Sequence, residues 1–169
     1  YDLRELPIAE WTMAKQERIR SHYARMGWNE LADDDWKVAW EQLSQVCDFE
    51  NSRCVGPQPS MTWDIQLVIE LLEGTAKQQE MVRDLEQKCL KAMRHVGDGV
   101  WLALDFNHPS YRLHVHSMSD ELHPWPVSPF PDHDEAYFVT SEFHCGITTN
   151  LRSSISVFGQ PLLDVFTED

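Results

Sequence analysis

The stretch "VWLALDFNHPSYRLHVH", residues 100–116, constrains the fold more than any other. Two largely apolar runs flank "NHPS", whose residue types suit a four-residue hairpin loop. That loop sets Phe106 across from Tyr111, and the pairing counts backwards from there. Val100, Leu102, Leu104 and Phe106 then share one face with Tyr111, Leu113 and Val115, and this face is expected to form core. The other face sets Trp101, Ala103 and Asp105 opposite His116, His114 and Arg112. Asp105 and Arg112 become a cross-strand pair of opposite charge.

Helices precede this hairpin. Ile8, Trp11, Ile19, Tyr23 and Met26 fall near one helical face over residues 7–26, with Pro7 suited to the first turn. In "DDDWKVAWEQLSQVC" the residues Trp36, Ala39, Trp40, Leu43 and Cys47 recur at helical spacing behind three aspartates that complement the helix dipole and suit capping. Residues 48–60 contain Gly56, Pro57 and Pro59 and read as a connection. "MTWDIQLVI" suits a strand by its β-branched and aromatic content, and a short helix by its continuation into "ELLEG". Thr75 and Gln78 form a capping-box pattern ahead of a long helix whose apolar face is Met81, Val82, Leu85, Cys89, Ala92, Met93 and Val96, ending at Gly97.

Beyond residue 99 the pattern turns to short strands, at 100–106, 111–118, 136–144 and 154–158, and then to a short helix near Pro161. "HPWPVSPFPDHD" between them has four prolines and is irregular. Helices first and strands later predict an α+β fold, with a mainly antiparallel sheet from the C-terminal half packed against helices from the N-terminal half. Residues 1–27 read as an N-terminal helical extension and 28–169 as a single α+β domain.

Charge narrows the function classes. Fourteen basic against 28 acidic residues give a formal net charge of −14. That field opposes direct nucleic-acid binding, which depends on cationic contacts with phosphate, and attracts a basic partner. Cys47, Cys54, Cys89 and Cys145 match no zinc-finger spacing and read as buried free thiols of a cytoplasmic protein. No apolar run approaches a membrane span, and the first residues lack the pattern of a secretion signal.

Candidate chemistry gathers on the hairpin. His114-x-His116 places two imidazoles on one side of a strand, and Glu121 follows as in half of a cupin metal motif, but the second half of that motif is absent. His123, His133 and His144 are available to complete a site and read more simply as solvent-facing. No nucleophile elbow, phosphate loop or paired-histidine zinc helix occurs, and no cofactor, metal or catalytic residue is expected. A polar site is nevertheless conceivable on Asp105, His108, Arg112, His114 and His116. Acidic groups offer the other kind of site. Residues 100–169 hold ten acidic residues against two basic ones, and Asp120, Glu121, Asp132, Asp134 and Glu135 are the candidate partner-binding residues. The last three sit on a loop stiffened by Pro129 and Pro131.

The core Trp101, Ala103, Leu104, Asp105, His108, Pro109, Tyr111 and Arg112, together with "DDDWKVAWEQL", "PSMTWDIQ" and the closing "SISVFGQPLLDVF", resembles an uncharacterised bacterial domain-of-unknown-function family over residues 28–169. The resemblance implies no catalytic residue. Small acidic bacterial proteins of this kind are often immunity proteins, so two expectations stand. One is an acidic cytoplasmic protein that neutralises a cognate toxin, such as a basic nuclease, by presenting carboxylates where phosphates would bind. The other is a small enzyme or ligand-binding domain built on the polar hairpin face.

Overall fold

A computed structural model describes residues 8–50, 53–120, 125–131, 135–150 and 153–168. Its central element is β5 (Val100–Asp105), where Trp101, Leu102, Ala103, Leu104 and Asp105 are all buried although their side chains alternate between faces. A strand buried on both sides needs a layer on each. Trp101 and Ala103 face a cluster that includes Cys89, Leu90, Ala92 and Met93 of α4 (Ala76–His95) and Leu162 and Leu163 of α5 (Gln160–Thr167). Leu102 and Leu104 face Ala39 and Leu43 of α2 (Asp33–Val46).

The remaining strands extend β5 in both directions. One side carries β6 (Tyr111–His114) and then β1 (Trp28–Glu30). The other carries β7 (Ala136–Thr140), β8 (Gly146–Asn150), β9 (Ser154–Phe158) and β4 (Ser60–Asp64), in the order β1-β6-β5-β7-β8-β9-β4. Every pairing in this sheet is antiparallel. The α+β expectation therefore holds, with the sheet enclosed between helices on its two faces. Strand β4 forms one edge, and Met61 on it and Leu67 and Leu71 on the following α3 (Gln66–Leu72) are exposed. Before the sheet runs α1 (Ile8–Arg25), which is joined to β1 by Arg20 Nε donating to Glu30 Oε2 at 2.7 Å, while Tyr23 and Met26 pack on the α4-side core. Ile19, expected on that inner face, is exposed, and the side chains of Ile8 and Trp11 lie outside the described residues.

Helix α4 follows its sequence signals. Thr75 is the N-cap, its Oγ1 accepts from the Gln78 N–H at 3.2 Å, and the Gln78 side chain returns to accept from the Gly74 N–H at 2.8 Å. Gly97 takes φ +79° after the last turn, as a helix-ending glycine does. In α2 the three aspartates occupy the first turn and complement the dipole. The capping part of the expectation fails, because the N-cap is Ala32 and makes no side-chain cap bond.

Several boundaries differ from expectation. Residues 48–60 are not a simple connection, since β2 (Asp48–Glu50) and β3 (Arg53–Val55) pair as a separate small hairpin and β4 begins at Ser60. "MTWDIQLVI" turns out to be both a strand and a helix, with Asp64 Oδ1 accepting from the Gln66 N–H at 3.0 Å where one becomes the other. The single strand expected at 136–144 is instead β7, a tight turn with Phe143 at φ +58°, and the start of the approach to β8. Thr140 organises that turn, its Oγ1 accepting from the N–H groups of His144 and Cys145. Strand β6 stops at His114 rather than continuing to 118, because Arg94 of α4 donates to the carbonyls of Val115 and Met118 and to the Asp120 carboxylate, and so holds residues 115–120 against the helix.

The hairpin register is the largest correction. Val100 pairs with His114, Trp101 with Leu113, Leu102 with Arg112 and Ala103 with Tyr111, a displacement of three residues from the expected pairing. An odd displacement exchanges the faces of one strand relative to the other. Trp101 and Ala103, not Leu102 and Leu104, therefore accompany Tyr111 and Leu113. Leu104 and Leu113 are both fully buried, but on opposite sides of the sheet. Phe106, expected in the core, is 69% exposed.

Gly146 lies close against Phe158 in the α2-side layer. A Cβ there would lie 2.5 Å from the Phe158 ring and 2.9 Å from the Phe138 carbonyl oxygen. Gly146→Ala is expected to destabilise the domain by about 1–3 kcal/mol through overpacking. Urea unfolding checks it, and an unchanged midpoint would show that Phe158 has room to move.

Candidate functional site

The turn joining β5 to β6 is built around the buried Asp105. Its Oδ1 accepts from the backbone N–H groups of Asn107 at 2.8 Å and His108 at 3.0 Å, and His108 Nδ1 lies 3.3 Å from both carboxylate oxygens. Ser110 closes the other side: the Asp105 N–H donates to its Oγ at 3.0 Å, and that hydroxyl reaches the Asp105 carbonyl at 3.2 Å. A carboxylate spending its acceptor capacity on local N–H groups fixes a turn. The expected Asp105–Arg112 pair is absent. Asp105 stands beside Ala136 of β7, whereas Arg112 is exposed between Leu102 and Asn29 on the opposite face.

The polar hairpin residues consequently do not converge. Arg112 and His114 share one face of β6, Asp105 and His108 belong to the turn, and the exposed His116 follows β6 in a separate turn beside Gly99. Among the described residues no three His, Cys, Asp or Glu side chains are grouped so as to hold a metal ion. Of the acidic candidates, Asp120 is held by Arg94, and Glu135 Oε2 accepts from the Tyr137 hydroxyl at 2.9 Å. Asp132, Asp134 and Glu121 lie outside the described residues, as do His123 and His133.

What the turn does present is an aromatic surface. Phe106 projects from it with its ring edge-on to Trp40 of α2, at 5.8 Å between centroids. Trp40 also meets Trp36 at 6.0 Å and the buried Tyr137 at 5.3 Å, and Tyr137 meets Phe49 of β2 at 5.9 Å. Five rings from four separate segments form one connected set, with Phe106 and Phe49 exposed and Trp36 and Trp40 half-buried. Beneath them, the Trp40 indole N–H and the hydroxyl of Thr148, register partner of Tyr137, are buried without a hydrogen-bond partner among the described residues. Sequence reasoning placed Trp36 and Trp40 on the apolar face of a helix and missed their second, outward role. The exposed Phe106 became visible only once Asp105 was known to hold the turn.

Two kinds of titrating group stand apart from this surface. Glu86 lies on the apolar stripe of α4 between Val82 and Leu90, where burial outweighs the 3.4 Å hydrogen bond from Ser128 and raises its carboxyl to about 7. Its one legible signal is a glutamate at i+4 from Val82 and i−4 from Leu90 in that stripe. Cys47 is buried and Cys89 and Cys145 are buried free thiols, as expected, while the side chain of Cys54 lies outside the described residues; burial pushes the thiols of Cys89 and Cys145 upward, the second opposed by the Leu162 N–H. Such thiols are poor nucleophiles.

Comparison with known proteins adds family membership without chemistry. Residues 30–163 match the family described as "Protein of unknown function (DUF2716)". "Uncharacterized protein YxiI" of Bacillus subtilis (strain 168) is 29% identical over 154 residues, covering 85% of this chain and 94% of that protein. No solved structure matches.

Two substitutions test this geometry. Asp105→Ala removes the acceptor of the Asn107 and His108 N–H groups and leaves a gap at a buried position, and is expected to cost about 1–3 kcal/mol, whereas Arg112→Ala is expected to change stability by less than about 0.5 kcal/mol as a surface change. Equal losses would indicate an Asp105–Arg112 coupling. For Glu86, a folded pKa near 7 against 4.5 in the unfolded chain means that its stabilising contribution is complete below about 4.5 and is lost as pH rises through 7. Glu86→Gln is expected to be more stable than the parent by about 1–3 kcal/mol above pH 7, and equal to it near pH 4. Thermal melts across that range decide the matter, and parallel pH profiles for the two proteins would show that Glu86 titrates normally.

Proposed function

The chain belongs to the DUF2716 family, and we propose that it acts as an acidic cytoplasmic bacterial immunity protein that binds and neutralises a cognate toxin with a basic surface. The observation that carries this reading is the uneven charge: ten acidic against two basic residues over 100–169, in a chain of net charge −14. Such a field accelerates association with a cationic partner and can occupy a surface that evolved to hold phosphate. The alternative, a small enzyme or ligand-binding domain on Asp105, His108, Arg112, His114 and His116, draws no support from their separation onto different faces and turns. No helix among the described residues is long and apolar enough to cross a membrane.

Co-expression with a cognate basic toxin domain is expected to restore growth, and association of the purified pair is expected to slow as salt rises from 50 to 500 mM, roughly the range in which screening removes long-range attraction. Reversing Asp132, Asp134 and Glu135 to Lys is expected to abolish protection while leaving the melting curve in place. Unimpaired protection by the triple variant would exclude that loop, and turnover of a small molecule without any protein partner would exclude the binding-protein reading.

A further inference from the structure

We infer that the ring cluster formed by Phe106, Trp36, Trp40 and Phe49 is the docking surface for an arginine-rich segment of a basic protein partner, an inference that rests on the proposed binding function. Phe106 is 69% exposed and Phe49 40% exposed, yet neither is loosely held. Phe106 stands on a turn fixed by the Asp105 carboxylate, and the rings behind it are packed edge to face. Large rings held in place before binding lose little entropy on docking, which is the property that makes aromatic side chains dominate interface energies.

Charge complementarity identifies the occupant. The first turn of α2 carries Asp33, Asp34 and Asp35, all exposed, immediately before Trp36. Within the same set of rings, the Tyr137 hydroxyl donates to Glu135 Oε2 at 2.9 Å. Apolar rings adjoined by carboxylates suit a planar, weakly hydrated guanidinium, which stacks on an aromatic face while its edge donates to an acid. An ammonium has the same charge but no plane to stack. A second copy of this chain is disfavoured, because it would bring the same aspartates against one another.

The test uses the intact chain and two ten-residue peptides of equal charge, one alternating Arg with Gly and the other Lys with Gly. The Arg peptide is expected to bind about fivefold more tightly at 150 mM salt, equivalent to about 1 kcal/mol. It is also expected to shift the indole N–H resonances of Trp36 and Trp40. Phe106→Ala and Phe106→Leu are both expected to fold and to erase that preference, the second because it keeps apolar area and removes the ring. Salt-sensitive binding of both peptides with equal affinity, or a preference that survives Phe106→Ala, overturns this surface and leaves the acidic-binder reading in place. Binding of neither peptide at low salt overturns both.

Discussion

Burial of β5 on both faces is the constraint from which the other features follow. Trp101 donates its indole N–H to the Met93 carbonyl at 3.2 Å on one side, while Leu104 packs with Leu43 and Val139 on the other. A strand with no wet face requires two covering layers. Here α4 and α5 supply one and α2 the other. The order of helices in the chain then has a spatial meaning: α2 precedes the long connection through β2–β4, so the chain can pass from one side of the sheet to the other before α4 begins.

The same constraint explains what the sequence revealed and what it hid. Helices α2 and α4 were legible because each carries one apolar stripe, and a stripe at helical spacing has one interpretation. The hairpin register was not legible. Counting faces presumes one wet side, and "VWLALD" is apolar in every position but the last, so alternation carried no information about which set faced α4. The turn type was hidden for a different reason. Asp105 was read as a partner for Arg112 across the strands, whereas its carboxylate is consumed by the backbone two and three residues on, a short-range preference of Asp that competes with any cross-strand pair. Strand β8 went unseen because "GITTN" begins with glycine and ends in two threonines and an asparagine, so the strand expected at 136–144 stopped short of it.

Of the candidate site, the acidic character was legible from counting and the aromatic surface was not. Trp36 and Trp40 lie at i and i+4, the signature of a buried stripe, and Trp40 does pack against the α2-side core. Their outer edges stay accessible where α2 passes the β5–β6 turn, with Phe106 beside Trp40. Such a dual position depends on tertiary arrangement and leaves no local trace. The scattering of His108, Arg112, His114 and His116 has the same origin, since residues close in sequence on a hairpin are divided between faces and turns by a register that the sequence did not disclose.

The two edges of the sheet differ in consequence. Strand β1 spans three residues and is anchored to α1 by Arg20, so it leaves little backbone on which another strand could build. Strand β4 spans five residues with its outer side turned away from β9, next to the exposed Met61, Leu67 and Leu71. An extended apolar segment released by a partly unfolded neighbour would find its template there, which makes β4 the side from which misassembly of this protein would start. Asp64 at its end and Glu70 and Glu73 on and after α3 supply like charges that keep two such edges apart. The strong acidity that suits a cationic partner thus also protects the fold from its own copies, and neutralising it, by low pH or by crowding with polycations, would expose the molecule at the edge where its backbone is least guarded.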